Sequence, residues 1–140
     1  MNAYPGTSKL GAYQNVSAHG GVAAADPHRL VLLLMNTAIE RLTAARGCIE
    51  HGEIARKAKL LHSVTTIIAE LRGSLDMARG GALAQNLSDL YDYMARRILV
   101  GNATNNVAAV AEVLNLLSEI RDAWAAIAPE VQTPRQPSAA

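Results

Sequence analysis

Leu83, Leu87, Leu90, Met94 and Ile98 recur three or four residues apart, the spacing that puts side chains on one face of an α-helix. Gly80-Gly81 stands just before this run and Gly101 near its end, so Leu83 to Asn102 reads as a helix punctuated at both ends. A helix with one apolar seam must bury it against other elements. Three further segments of the chain carry the same pattern, and no segment alternates with the period of a strand.

The first of these opens at Asp26-Pro27. An Asp accepts from the free amides of a first helical turn, and a Pro at the next position needs no amide partner there. Val31, Met35, Ala38, Leu42 and Ala45 form its apolar line, widened by Leu30 and Leu34, and Gly47 and Gly52 bracket its end. The second spans about Glu53 to Met77. Leu60, Val64, Ile67, Leu71 and Ser74 make one line, and Leu61, Thr65, Ile68 and Leu75 a second, with Arg56, Lys57, Lys59, Glu70 and Arg72 on the wetter sides. After Leu83–Asn102 the last helix runs from about Asn106 to Ile127. Its lines are Val107, Val110, Leu114, Leu117 and Trp124, and then Val113, Leu116, Ile120 and Ile127. Helices of roughly 20 residues and about 30 Å joined by short links predict an all-α, antiparallel up-down-up-down four-helix bundle over residues 26–128.

The flanks differ in character. Residues 1–25 are rich in Gly and polar residues and read as a flexible N-terminal arm, with Leu10, Tyr13 and Val16 spaced as a short apolar hook. Residues 129–140 read as a Pro-rich disordered tail. The opening residues lack the apolar block of a secretory signal. The longest uncharged apolar run, Leu30 to Met35, is far short of the roughly 20 residues that span a bilayer. A soluble, cytoplasmic protein without membrane insertion is expected.

Composition narrows the chemistry. Half the residues are hydrophobic, yet there is no Phe and one Trp, so the core must be aliphatic. The formal net charge of +1 gives no clustered positive surface for nucleic acid, and Arg96-Arg97 reads as a wet helix face. Cys48 is the only cysteine, which rules out an internal disulfide and suits a small buried position. His19, His28, His51 and His62 show no zinc-like spacing, so no metal or other cofactor is expected. Asp89 with Asp92, and Glu112 with Glu119, read as solvated faces, and no nucleophile stands in a catalytic context. An enzyme is therefore not expected. His62 invites comparison with histidine phosphotransfer bundles, but Ser63-Val64-Thr65-Thr66-Ile67 follows it where those domains carry a Lys and a nearby Gly.

What stands out is apolar surface. The second and fourth helices each show two adjacent lines, wider than one seam requires. One reading is burial on more than one side of a compact bundle. Another is a groove open to a helix of another chain. A third is a structural oligomer that buries the extra arc against itself.

Several stretches resemble flagellar secretion chaperones of the FliS type. They are Ala12-Tyr13, Asp26-Pro27-His28-Arg29-Leu30, Ile67-Ile68-Ala69-Glu70-Leu71-Arg72-Gly73-Ser74-Leu75-Asp76, Asn86-Leu87 with Leu90-Tyr91-Asp92-Tyr93-Met94-Ala95-Arg96-Arg97, and Ala123-Trp124. Their order and spacing carry the resemblance from Tyr13 to about Ile127. It departs at Met35-Asn36-Thr37, where the family often has an aromatic, an acidic residue and a Gly. The resemblance implies a helical bundle that holds the C-terminal segment of flagellin and blocks its early polymerisation. It also implies an arm whose aromatic, here Tyr13, packs over part of the groove. The flagellar export gate is a second candidate partner, and a monomer or weak homodimer is the expected state. On this reading the client track comprises Leu61, Thr65, Ile68 and Leu75, with Val113, Leu116 and Ile120, and with Tyr91, Ala95 and Leu99 as a third wall.

Overall fold

The structure, a computed structural model, describes residues 26–127. These form four helices and, among the described residues, no strand: α1 Pro27–Glu50, α2 Ile54–Gly73, α3 Met77–Thr104 and α4 Val107–Ala126. The arm and tail expected at 1–25 and 129–140, Tyr13 included, lie outside the described residues.

Local chemistry sets the helix starts. The Asp26 carboxylate accepts from the Arg29 amide at 3.2 Å, with Pro27 at the first helical position. Asn106 does the same for the Ala109 amide at 3.1 Å and opens α4. The α2–α3 junction differs from the sequence expectation. α2 stops at Gly73, short of Met77, because Asp76 takes an extended backbone and caps a new helical turn through the Arg79 amide at 3.0 Å. Gly81, with φ of 52° and ψ of −129°, breaks the path of α3 after that turn, and regular helix resumes beyond it. A left-handed φ of this kind suits glycine, which has no Cβ to clash.

Each helix packs against two others in a closed ring: α1 on α2 and α4, and α3 on α2 and α4. Contacts between chain neighbours run antiparallel. Arg72 near the end of α2 donates to Ser88 early in α3 at 3.0 Å. Lys57 early in α2 donates to the Asn102 carbonyl at 2.8 Å and the Asn105 side chain at 2.7 Å at the end of α3. Lys57 is thus buried, against the expectation of a wet position. Its ammonium meets the negative end of the α3 dipole and satisfies a terminal carbonyl, which offsets its desolvation.

The core is aliphatic and continuous, built on Leu34, Ala38, Leu42, Leu61, Val64, Ile67, Ile68, Leu71, Met94, Ile98, Val110, Val113 and Leu117. This corrects the reading of the second apolar lines as open surface. Leu61, Ile68 and Val113 are sealed inside the subunit together with Val64, Ile67, Leu71, Val110 and Leu117, while Leu75, Leu116 and Ile120 are half-buried. The reason is the ring itself: a helix flanked by two neighbours buries a wider arc than one seam would need.

A candidate apolar docking groove

Near the end of the bundle that holds the start of α1 and the end of α4, the four helices do not close completely. A groove of about 1100 Å³ opens there. Its walls follow helical spacing. α1 offers His28, Val31 and Met35, α3 offers Leu83, Ala84, Leu87 and Tyr91, and α4 offers Ile120 and Trp124. Leu71, Ser74 and Leu75 come from the end of α2 and the turn after it, and Asp26, Asp76 and Arg79 supply charge. Arg79 and Asp76 lie 3.7 Å apart and both are exposed, so their pairing is weak. Leu83, the first apolar residue after the Gly81 break, is 68% exposed, far from the packed seam position its spacing predicts.

A second, smaller cavity of about 520 Å³ lies between α2 and α3, lined by Thr65, Ile68, Ala69, Met77, Ser88 and Ala95 among others. Tyr91 lines both cavities, so the two meet at one side chain. Burial pushes the Tyr91 phenol up to about 12. Arg72 and Asp92, 3.5 Å apart, add polar groups to this smaller cavity.

At the far wall of the large groove, α1 and α4 are latched. The His28 ring stacks on the Trp124 indole, with centroids 4.6 Å apart and planes 10° from parallel. His28 Nε2 donates to the Trp124 carbonyl at 2.8 Å, and the Trp124 indole N–H donates to the His28 carbonyl at 3.0 Å. A separate polar cluster ties α3 to α4. Glu112 accepts from the Tyr93 hydroxyl at 2.5 Å and from Arg97 at 2.8 Å. Those two donors, the tyrosine first, hold the Glu112 carboxyl below its usual range, and the same carboxylate raises the Tyr93 phenol.

The residues expected to form a client track therefore divide. Leu75, Tyr91 and Ile120 line the large groove, and Thr65, Ile68, Tyr91 and Ala95 the small one. Ile68 reaches that cavity from a sealed position, so it belongs to the floor and not to an open face. Leu61 and Val113 face the core, and Leu116 is half-buried against it. Leu99 is 64% exposed and lines neither groove. Sequence reasoning did not single out His28, Val31, Met35, Leu83, Leu87 or Trp124 for this role. Their spacing announces an apolar face, and only the gap between four helix ends turns that face into a groove.

Chemically the site suits apolar binding. Among the described residues no group of three or more His, Cys, Asp or Glu is placed to hold a metal ion, and no helix is long and apolar enough to cross a membrane. Its volume, about 1100 Å³, stands at the upper edge of the roughly 300–1,000 Å³ usual for small-molecule pockets, and its lining is mostly apolar, the character of grooves that take an amphipathic helix.

Residues 9–131 match the family described as flagellar protein FliS. The chain is 44% identical over 112 residues to the flagellar secretion chaperone FliSB of Pseudomonas aeruginosa, covering 80% of this chain and 89% of that one. It is 41% identical over 124 residues to the flagellar secretion chaperone FliS of Salmonella typhimurium, covering 88% and 92%. The corresponding protein of Bacillus subtilis is 34% identical over 113 residues, covering 81% and 80%.

Proposed function

Because this chain belongs to the FliS family, a family of flagellar secretion chaperones, we propose that it captures the C-terminal segment of flagellin in the cytoplasm and keeps it unpolymerised until export. The observation that supports this reading most is the large groove: an apolar track built by all four helices, with a second cavity that shares the Tyr91 side chain as a wall.

The energetics of such capture favour a rigid holder. A disordered segment that folds on binding buries about 1,000–3,000 Å² and gives up about 2–5 kcal/mol in ordering. A partner whose backbone is already fixed adds little to that cost. The groove meets this condition, since its walls stand on helices packed around a continuous aliphatic core. Capture on this basis is non-covalent and runs on apolar burial, without nucleotide or metal.

Calorimetric titration of a flagellin C-terminal segment into the chain tests the reading. A one-to-one complex with a negative heat-capacity change is the expected result. Absence of heat at two well-separated temperatures contradicts it.

A further inference from the structure

The large groove and the smaller cavity share one buried polar side chain, Tyr91 of α3. The residue is 3% exposed, and the little surface it keeps is turned toward those two cavities. Its hydroxyl makes no hydrogen bond to another described residue, whereas the Tyr93 hydroxyl is held by Glu112. Nor is that oxygen sealed. Among the described residues the one enclosed side-chain polar atom without a partner is His28 Nδ1, so the Tyr91 oxygen keeps accessible surface. The free fold would be served as well by a phenylalanine at this position. Buried polar groups are nearly always satisfied in native proteins, and here a partner has a way in.

The chemistry of that partner follows from the phenol. Burial alone raises Tyr91 to about 12, with no neighbouring charge or hydrogen bond contributing. The side chain therefore stays protonated at neutral pH and offers an O–H donor. Its partner must accept, and must do so beside apolar walls. The cations that line the cavities, Arg72 and Arg79, each have an aspartate beside them, Asp92 and Asp76. An incoming carboxylate would meet as much negative charge as positive and would lie among Ile68, Ala69 and Ala95 or Leu83 and Leu87. A carbonyl oxygen accepts without bringing a charge.

Resting on the flagellin reading above, we propose that Tyr91 is a specificity-determining residue whose hydroxyl donates a hydrogen bond to an uncharged carbonyl oxygen of the bound segment. That oxygen belongs to an Asn or Gln side chain, or to one of the last four backbone carbonyls of a helix, which have no partner within the helix. An unbroken helix that presents only Leu, Val and Ala offers no such oxygen. It would leave the phenol unpaired in a site that docking has closed to water. The groove thereby discriminates between segments of equal apolarity, more strongly than apolar contact alone can.

Tyr91→Phe removes the one oxygen and keeps the ring. Because that oxygen bonds no described residue, Y91F is expected to melt within about 3 °C of the native chain. It is expected to bind a flagellin C-terminal peptide about tenfold more weakly by calorimetry. Tyr93→Phe is the control: Tyr93 lines neither cavity, so Y93F should bind like the native chain. Carbon NMR of the ring Cζ atoms supplies a readout that a structural role would not move. The chain has four tyrosines, Tyr4, Tyr13, Tyr91 and Tyr93, and Y91F identifies the Tyr91 signal by its loss. That signal should shift as unlabelled peptide saturates the native chain. Alanine replacement along the peptide then locates the acceptor. A single Asn or Gln whose replacement abolishes the Y91F penalty identifies a side-chain carbonyl, and a penalty that persists at every Asn, Gln, Asp and Glu identifies a backbone one. Coupling at an Asp or Glu overturns the proposal, as does native-like binding by Y91F, equal weakening by Y93F, or an unmoved Tyr91 signal at saturation. Each of these leaves the flagellin reading standing. Failure of the native chain to bind the peptide overturns both.

Discussion

Replacing Ile68 by Glu is expected to unfold the bundle, not to produce a folded chain that has lost its client. Ile68 is 1% exposed and packs among Val64, Ile67, Leu71 and the facing helices. The nearest cation, Arg72 one turn on, is already engaged by Ser88 and Asp92, and taking a poorly paired charge out of water costs several kcal/mol even after relaxation. Lost packing of the isoleucine adds to that. Together the penalty is about 4 kcal/mol or more, against a total stability of about 5–15 kcal/mol for a domain of this kind. Thermal melting followed by circular dichroism should show either no cooperative helical transition or a fall of at least about 15 °C. A variant that melts like the native chain while losing only flagellin binding would place Ile68 on an open face and contradict the packing described above. Ile68→Val should cost only about 0.5–1.5 kcal/mol, in keeping with a single buried methylene.

Leu83→Glu is expected to do the reverse. Leu83 is exposed, so the fold loses little by the change, and Glu is as good a helix former as Leu. Stability should stay within about 0.5 kcal/mol of the native value. The same side chain forms part of the large groove, beside Ala84, Leu87 and Trp124. A carboxylate there must be dehydrated when an apolar segment docks, and an apolar contact is lost with it. Binding of a flagellin C-terminal segment should weaken by about 2 kcal/mol, close to thirtyfold, by calorimetry. Leu99→Glu is the matched control. Leu99 is equally exposed but stands near the far end of α3, outside both cavities, and its replacement should leave capture unchanged. Equal losses from L83E and L99E would mean that the large groove is not where the segment sits.

The helices themselves were legible because their signals are local. Asp26-Pro27 announces a helix start through chemistry contained in four residues, and the structure places the cap bond there. The Gly80-Gly81 pair likewise marks a real break, since Gly81 adopts a conformation that disfavours other residues. Asp76 was missed because its capping competes with an apolar pattern that continues through Leu75 and Met77.

The groove was less legible, and for a physical reason. Whether a second apolar line is surplus depends on how many neighbours its helix has, which no spacing within the helix records. α2 and α4 each touch two partners, so Leu61, Ile68 and Val113 are covered. Leu83 has the right spacing for the core and is left bare because the bundle opens at that end. Lys57 and His28 show the same effect for polar groups. A lysine reads as wet until the end of α3 is found beside its ammonium. A histidine reads as unremarkable until Trp124, ninety-six residues away, fixes one of its nitrogens and leaves the other without a partner.

The most direct test is a map of backbone amide shifts in the isotopically labelled chain as unlabelled flagellin C-terminal segment is added. The largest changes should fall on Leu75, Leu83, Leu87, Tyr91, Ile120 and the Trp124 indole N–H, with Ile54, Leu99 and Val107 little moved. Changes centred instead on Leu99 and Val107, with the Trp124 indole signal undisturbed at saturation, would contradict it.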